Sequence, residues 1–500
     1  VVTAGQSLTV ILSVTNNGLI TANVNTYSLT PNVVAGTPSV TPVSSPSSGI
    51  TLAPAQSGRF TWIYTAAGSG TLNFNSNAQA LDGEGSVTNA VSQDVNIQSA
   101  AALSMQFNSL PASIDIGQVL TVVMVVSNNG QSAVSGVNPP QQGGNWLVKL
   151  GGGSVALISG PLPASQTING NSIGTFTWTF SPTASGNVIF SGYATGTEVN
   201  TGAAINSNYN NSSSCQIQSP VNLTAQFNGL PASVNVGQTF NVSMTVTNSG
   251  QASASAVLPN PSNLVPVLGT GSALLTGSVP ASVALAGGAS TTFQWTFSAV
   301  GTGSVAFSAR AQGTEDNSGV IRYSAAAKSA NVVVVYEAAI ASGISAFPST
   351  ISEGELITVI MTVTNTGGAS ALNVSPSAVA ITGDGTAIVA GIPAPLTVTS
   401  IAGGASYSFT WTYSGTSPGT VAFSANVTAR DANDNRVINS AVSGSGSVEI
   451  LPSAVLDIVS FTALPAGVSA GQNVTVVMSV INNGDGDASL VYPQPLSLSG

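Results

Sequence analysis

Five glycines stand at nearly even intervals along this 500-residue chain: Gly5, Gly117, Gly237, Gly354 and Gly471, spaced 112, 120, 117 and 117 residues apart. Four of the five tryptophans, Trp62, Trp178, Trp295 and Trp411, keep the same period, and Trp146 stands outside it. A third marker is an apolar residue followed by proline, at Leu110-Pro111, Leu230-Pro231, Phe347-Pro348 and Leu464-Pro465. A chain that repeats itself at this interval must fold as an array of like units. Each unit, at about 117 residues, is long enough to bury a core of its own.

After each marker glycine, apolar and polar residues alternate. In the third unit Phe240, Val242, Met244 and Val246 fall on one face and Thr239, Asn241, Ser243, Thr245 and Thr247 on the other, which is the pattern of a half-buried strand. The inward set reads Leu8, Val10, Leu12 and Val14 in the first unit and Leu120, Val122, Met124 and Val126 in the second. It continues as Ile357, Val359, Met361 and Val363, then Val474, Val476, Met478 and Val480. Each strand closes on Asn-x-Gly, as in Asn16-Asn17-Gly18 and Asn365-Thr366-Gly367, residue types that tolerate positive φ in a turn. The tryptophan strand alternates too, with Phe176, Trp178 and Phe180 or Phe293, Trp295 and Phe297 pointing one way. A following strand sends Val188 and Phe190, Val305 and Phe307, and Val421 and Phe423 inward. Helical periodicity of useful length is absent.

Several short strands per unit, separated by Gly, Pro, Ser and Asn, predict antiparallel β-sandwiches. The pattern G-Q-x-hydrophobic-T-V-x-hydrophobic-x-V-x-N-x-G, followed by F-x-W-T-F/Y and V-x-F-S, resembles the immunoglobulin-like repeats of bacterial and archaeal surface proteins, particularly the adhesion-related CARDB type. The inward tryptophan resembles the immunoglobulin-type core without its disulfide. The expected fold is thus all-β, a linear array of antiparallel immunoglobulin-like β-sandwich repeats of about 117 residues. Units fall at 1–98, 101–219, 220–337, 338–451 and 452–500. The first lacks the opening strand and the last stops before its tryptophan strand. Either the chain continues past these ends, or another subunit completes them by donor-strand complementation. Linkers of a few residues leave little freedom for tumbling, so a stiff rod is expected.

Only 5% of residues are charged, against about 25% in ordinary soluble proteins, so the surface must consist of hydroxyls, amides and glycine. Histidine is absent, which removes Ser-His-Asp and Cys-His catalysis and His-ligated metal sites. Seven cations without a cluster and a net charge of −10 offer no footprint for nucleic acid. The longest apolar runs, Val122 to Val126 and Val332 to Val335, are strand-sized and predict no membrane span. A single cysteine in a Thr/Ser/Asn/Gly-rich chain fits an extracellular or cell-surface setting.

The site candidates are few, and no catalytic residue and no cofactor is expected. Cys215 aligns with Val95, Val332 and Val448 in the last strand of each unit and is read as a small buried hydrophobe. Asp431, Asn433 and Asn435 form a weak calcium candidate, hard oxygen ligands resembling the stretch of cadherin linkers. The competing reading is a solvated hairpin turn, matched by Asp82 and Glu84, by Glu198 and Asn200, and by Glu315, Asp316 and Asn317. Sequons at Asn210, Asn211, Asn222, Asn241, Asn373, Asn426 and Asn473 are at the level expected for this composition. Outward apolar residues recur at one position of the glycine-led strand: Ile11, Val123, Ile360 and Val477, with Ser243 in the third unit. They form either a lateral contact stripe or a patch covered within the same domain.

Three functions remain open: a structural rod or filament segment that associates with neighbouring copies of itself, an adhesin whose variable stretch from Pro139 to Pro163 presents Trp146 to a glycan or surface ligand, and accessory repeats of a secreted polysaccharide-active enzyme. The first leads, because the chain's regularity specifies reach and stiffness rather than a site.

Overall fold

The computed structural model describes residues 1–26, 29–81, 88–140 and 147–499. Among them every regular element is a β-strand. Four separate hydrophobic clusters, one per repeat for the first four repeats, form the cores.

The second sandwich shows the plan. One sheet has the order Leu103–Phe107, Leu120–Asn128, Ser172–Ala184, Ser154–Leu162. The opposite sheet runs from Ser113–Asp115 through Cys215–Gln218 and Gly186–Gly192 to Val148–Leu150. A third group, Gln166–Ile168, Val134–Asn138, Thr195–Glu198 and Ala204–Asn206, extends it. In the third sandwich one continuous strand, Gly303–Glu315, joins the two groups into one sheet.

The alternation read from sequence sets the register. Val122 pairs with Trp178, Val10 with Trp62, Val242 with Trp295 and Val359 with Trp411, and all four tryptophans are buried. The immunoglobulin comparison needs one correction here. In that fold the buried tryptophan sits on a strand of the sheet facing the one that bears it here; in this chain it lies beside the glycine-led strand, and the rings of Phe190, Phe307 and Phe423 come from the opposite sheet.

One pairing in each of the first four sandwiches is parallel. Ser113–Asp115 runs alongside Cys215–Gln218, and Val2–Thr3, Ser233–Asn235 and Thr350–Ser352 do the same in their units. The apolar-Pro marker lies just before this short strand, where the chain leaves one sheet for the other. A proline cannot donate to a ladder, so it suits that corner. The marker glycine follows two residues later, with φ between 86° and 94° in all five repeats and open space where a Cβ would stand. Backbone conformation, not crowding, requires glycine there.

Asn-x-Gly works differently from the turn chemistry expected of it. Neither its asparagine nor its glycine has positive φ. Asn365 is buried and acts as a clamp: its Nδ2 donates to the carbonyls of Ala369 (2.8 Å) and Ile401 (3.0 Å), and its Oδ1 accepts from the N–H of Ala339 (3.2 Å) and Gly367 (3.1 Å). Asn128 and Asn248 repeat this pattern. The glycine is needed for close approach, since a Cβ on Gly130, Gly250 or Gly367 would lie 2.0 Å from a linker carbonyl. Asn365→Ala would strand buried donors and acceptors at about 1–3 kcal/mol each. The fourth sandwich should therefore lose about 3 kcal/mol, read as a lowered denaturant midpoint in segment-resolved hydrogen exchange.

The fifth repeat shows only its opening pair, Leu456–Leu464 with Thr475–Asn482. No second sheet of the described residues covers it, so Val474 and Val476 are exposed.

Candidate functional site: the joints between sandwiches

Twelve residues after the glycines at 186, 303 and 419 stands an acid: Glu198, Glu315 and Asp431. In a solvated hairpin turn these side chains would face water, but they are 3%, 0% and 0% exposed. Each is buried because its turn docks onto the preceding sandwich, against the short parallel strand and the Gly-Gln step after it.

Three joints share one construction. In the third, Asp431 Oδ2 accepts the N–H of Ala338 (2.6 Å), the start of its own unit, and Oδ1 accepts Asn235 Nδ2 (3.0 Å) from the preceding sandwich. Asn433 completes the contact: Nδ2 donates to Asn235 Oδ1 (2.6 Å), Oδ1 accepts from Ser233 Oγ (2.6 Å), and its carbonyl accepts Gln238 Nε2 (3.2 Å). In the second, Glu315 Oε1 accepts Val221 N–H (2.6 Å), while Asn317 Nδ2 donates to Asp115 Oδ1 (2.6 Å) and Gln218 Oε1 (3.0 Å), and Asn317 Oδ1 accepts from Ser113 Oγ (2.7 Å). In the first, Glu198 Oε1 accepts Thr3 Oγ1 (3.1 Å) and Ala101 N–H (3.2 Å). Asn200 Nδ2 donates there to Thr3 Oγ1 (3.0 Å) and Gln98 Oε1 (2.9 Å), and Gln6 Nε2 donates to the Asn200 carbonyl (2.9 Å).

The linkers are fastened as well. Ser99 and Gln131 bond reciprocally, side chain to backbone N–H, at 3.0 Å each way, and Ser219 and Gln251 do the same. At the third joint an ion pair of Arg436 with Glu337 takes that place.

Burial pushes these acids towards neutrality, and hydrogen bonds decide the outcome. For Glu198 and Asp431 the donors outweigh desolvation and hold each carboxyl below its usual range. Glu315 follows the same course, with Ser318, Arg322 and Val221 N–H as its donors. A lowered carboxylate pKa contributes stability above its unfolded value, lost as pH falls through the folded one, so the first and third joints should loosen in acid.

The remaining candidates are distributed as follows. Asp431 and Asn433 come together at the third joint, where their oxygens take the protein donors given above, and Asn435 turns back so that its N–H donates to the Asp431 carbonyl. As arranged, these oxygens form a protein–protein contact and not an open cation shell. Calcium is expected to leave the calorimetric midpoint of the fourth sandwich unchanged; a rise that requires Asp431 would show that the turn rearranges around a cation. Asp82 and Glu84, at the matching position in the first repeat, and Trp146 lie outside the described residues.

Cys215 is fully buried opposite Val188, as Val332 is opposite Val305 and Val448 opposite Val421. Burial pushes its thiol up. Ile11 (53% exposed) and Val477 are open to solvent, while Val123 and Ile360 are half-buried beside Thr177 and Thr410 of the neighbouring strand. No loop of the described residues gathers the four into one site.

The acid-x-Asn turn is the functional element that sequence reading underrated. Its signal was present, because an acid returning at 117 and 116 residues is conspicuous in a chain with so few charges.

No family model and no curated protein matches the chain. Among solved structures it is similar to the complex of Dpr2 Ig1-Ig2 with DIP-Theta Ig1-Ig3, at 9% identity and TM-score 0.20 over 70% of this chain and 100% of that one. It is similar to the fibronectin(III)-like modules of Clostridium thermocellum CbhA at 11% identity and TM-score 0.20, over 46% and 95%. Native E. coli alpha-2-macroglobulin aligns at 10% identity and TM-score 0.19, over 93% of this chain and 40% of that one.

Proposed function

We propose that the chain is a segment of an extracellular structural repeat protein, a stiff rod or filament element whose work is reach and resistance to bending. The observation that supports this most is the buried acid at three successive joints. Undocking breaks the bonds that cross the joint: Thr3 Oγ1 to Glu198 and Asn235 Nδ2 to Asp431, each a bond to a charged group contributing about 1.5–3 kcal/mol, and the bonds of Asn317 to Asp115, Gln218 and Ser113. A flexible tether would need none of this. We assign no catalytic role: the deepest acids are committed to N–H and O–H donors. An outside location fits the neutral amide and hydroxyl surface and the lone buried thiol, and no helix among the described residues is long and apolar enough to cross a membrane.

Association between neighbouring copies has support in the sheet edges. The strands Ser154–Leu162, Ser272–Leu275 and Thr386–Gly391 lie at the edge of their sheets and expose Leu157, Ile158, Leu274, Ile388 and Val389. Exposed apolar edges are templates for pairing, and the scarcity of charge leaves little repulsion to oppose it.

Negative-stain microscopy of the purified chain tests the reading. Straight or regularly curved rods are expected; beads joined at random angles would overturn it.

A further inference from the structure

One position faces the buried acid at every joint, and in two joints its chemistry is that of a donor. Thr3 offers its hydroxyl to Glu198, and Asn235 offers its amide to Asp431. At the middle joint the residue is Asp115, 1% exposed, facing Glu315. A carboxylate cannot donate. We infer that Asp115 is protonated in the docked state and donates through its Oδ2–H to Glu315, making the joint between the second and third sandwiches the one that a rise in pH unlatches.

The local bonding decides which acid carries the proton. Glu315 already accepts from Val221 N–H (2.6 Å), Ser318 Oγ (2.6 Å), and Arg322 Nε (3.1 Å) and Nη2 (2.8 Å), so it is the ionised partner. Asp115 Oδ1 accepts from Asn317 Nδ2, whereas its buried Oδ2 has no donor among the described residues. A buried oxygen without a donor is costly as an acceptor and comfortable as a hydroxyl. Burial first, then the charge and hydrogen bond of Glu315, push the Asp115 carboxyl above the usual carboxylate range, against the opposing bond from Asn317 and the charge of Arg322. Glu315 and Arg322 are the charged groups that face it; Asp316, the next residue of the turn, is exposed.

The sign follows. A docked-state pKa raised above the undocked one costs the joint stability as pH climbs from the undocked value towards the docked value, with the opening constant rising about tenfold per pH unit across that window. The neighbouring joints, whose acids are shifted the other way, weaken on the acid side. The middle joint thus opens in a pH range where the others stay closed.

Hydrogen exchange of the full chain, corrected for intrinsic rates and followed from about pH 4, the ordinary carboxylate value, upward, reads this directly. Segments 113–118 and 315–322 should open progressively with pH while the matching segments 233–238 and 431–437 hold. Asp115→Asn, which installs the amide present at 235, should flatten the rise and keep the joint closed throughout. Glu315→Gln gives a second reading, because it removes the neighbouring charge and leaves only burial to hold the Asp115 carboxyl up, so the rise should shrink and move to lower pH. A wild-type middle joint with the same pH profile as its neighbours, or a rise that survives unchanged in both variants, would overturn the inference. It concerns the joint alone and stands whether or not the chain serves as a rod.

Discussion

Replacing Trp295 with alanine is expected to cost the third sandwich about 3–5 kcal/mol, the range for deleting a large buried ring. Its side chain is 1% exposed, lies in register with Val242, and donates from Nε1 to the Ser262 carbonyl (2.9 Å). It belongs to a core that includes Phe240, Phe297 and Phe307, whose rings are in mutual contact. Because the four cores are separate clusters, the loss should stay local and reach adjacent units only through the joints. Segment-resolved hydrogen exchange during denaturant unfolding is the measurement. An equal destabilisation of the first sandwich, two units away, would show that the repeats fold as one cooperative body.

Asp431→Ala should have the largest effect of any surface-to-surface change. It removes the acceptor for Ala338 N–H, Asn235 Nδ2 and the Asn433 N–H (2.8 Å), and breaking a buried charged network in this way costs about 3–5 kcal/mol. Both flanking sandwiches keep their cores, so the expected outcome is two folded units on a loosened hinge. Limited proteolysis should gain a site near residues 336–339 while the melting of the third sandwich barely moves. The same change should abolish the acid sensitivity of that joint, since the carboxyl held low there is the group whose protonation would weaken it. Unchanged proteolysis would mean that the ion pair of Arg436 with Glu337 and the remaining bonds suffice.

How much of this was legible in the sequence varies with the kind of interaction. In the second, third and fourth repeats the inward residues of the glycine-led and tryptophan strands read correctly, because burial imposes a period of two whatever the sandwich's detailed topology. In the first repeat Leu8, Val10, Leu12 and Val14 are half-buried, and in the fifth Val474 and Val476 are exposed. Cys215 was legible for a related reason, since its repeat-mates are all valine. The sheet to which the tryptophan belongs was not legible, because alternation says which way a residue faces and not which strand lies beside it. The short parallel strand is only three residues long and has no pattern of its own.

The polar positions misled for a definite physical reason. Asn365 and Gly367 carry turn-forming residue types, yet here they serve as a four-bond clamp and a point of close approach. The distinction is made by the two clamp partners that lie 26 and 36 residues away, Ala339 and Ile401, and by the Glu337 carbonyl beside Gly367. Asp431 likewise belongs to a residue class that is almost never fully buried unless paired. Of its partners Asn235 sits in another sandwich, 196 residues distant, and Ala338 lies 93 residues away at the start of its own unit, where local reading has no access to them.

The parallel pairing in each sandwich governs how the molecule carries mechanical load. Ser113–Asp115 lies near the start of its unit and Cys215–Gln218 at its end, and they run side by side in the same direction. Tension applied between the two ends pulls these strands past one another, so their ladder bonds are strained together in shear. An antiparallel terminal hairpin pulled open from one end would surrender its bonds singly. The docked turn, gripping that same short strand from the next sandwich, adds its contacts to the element on which the pull falls first.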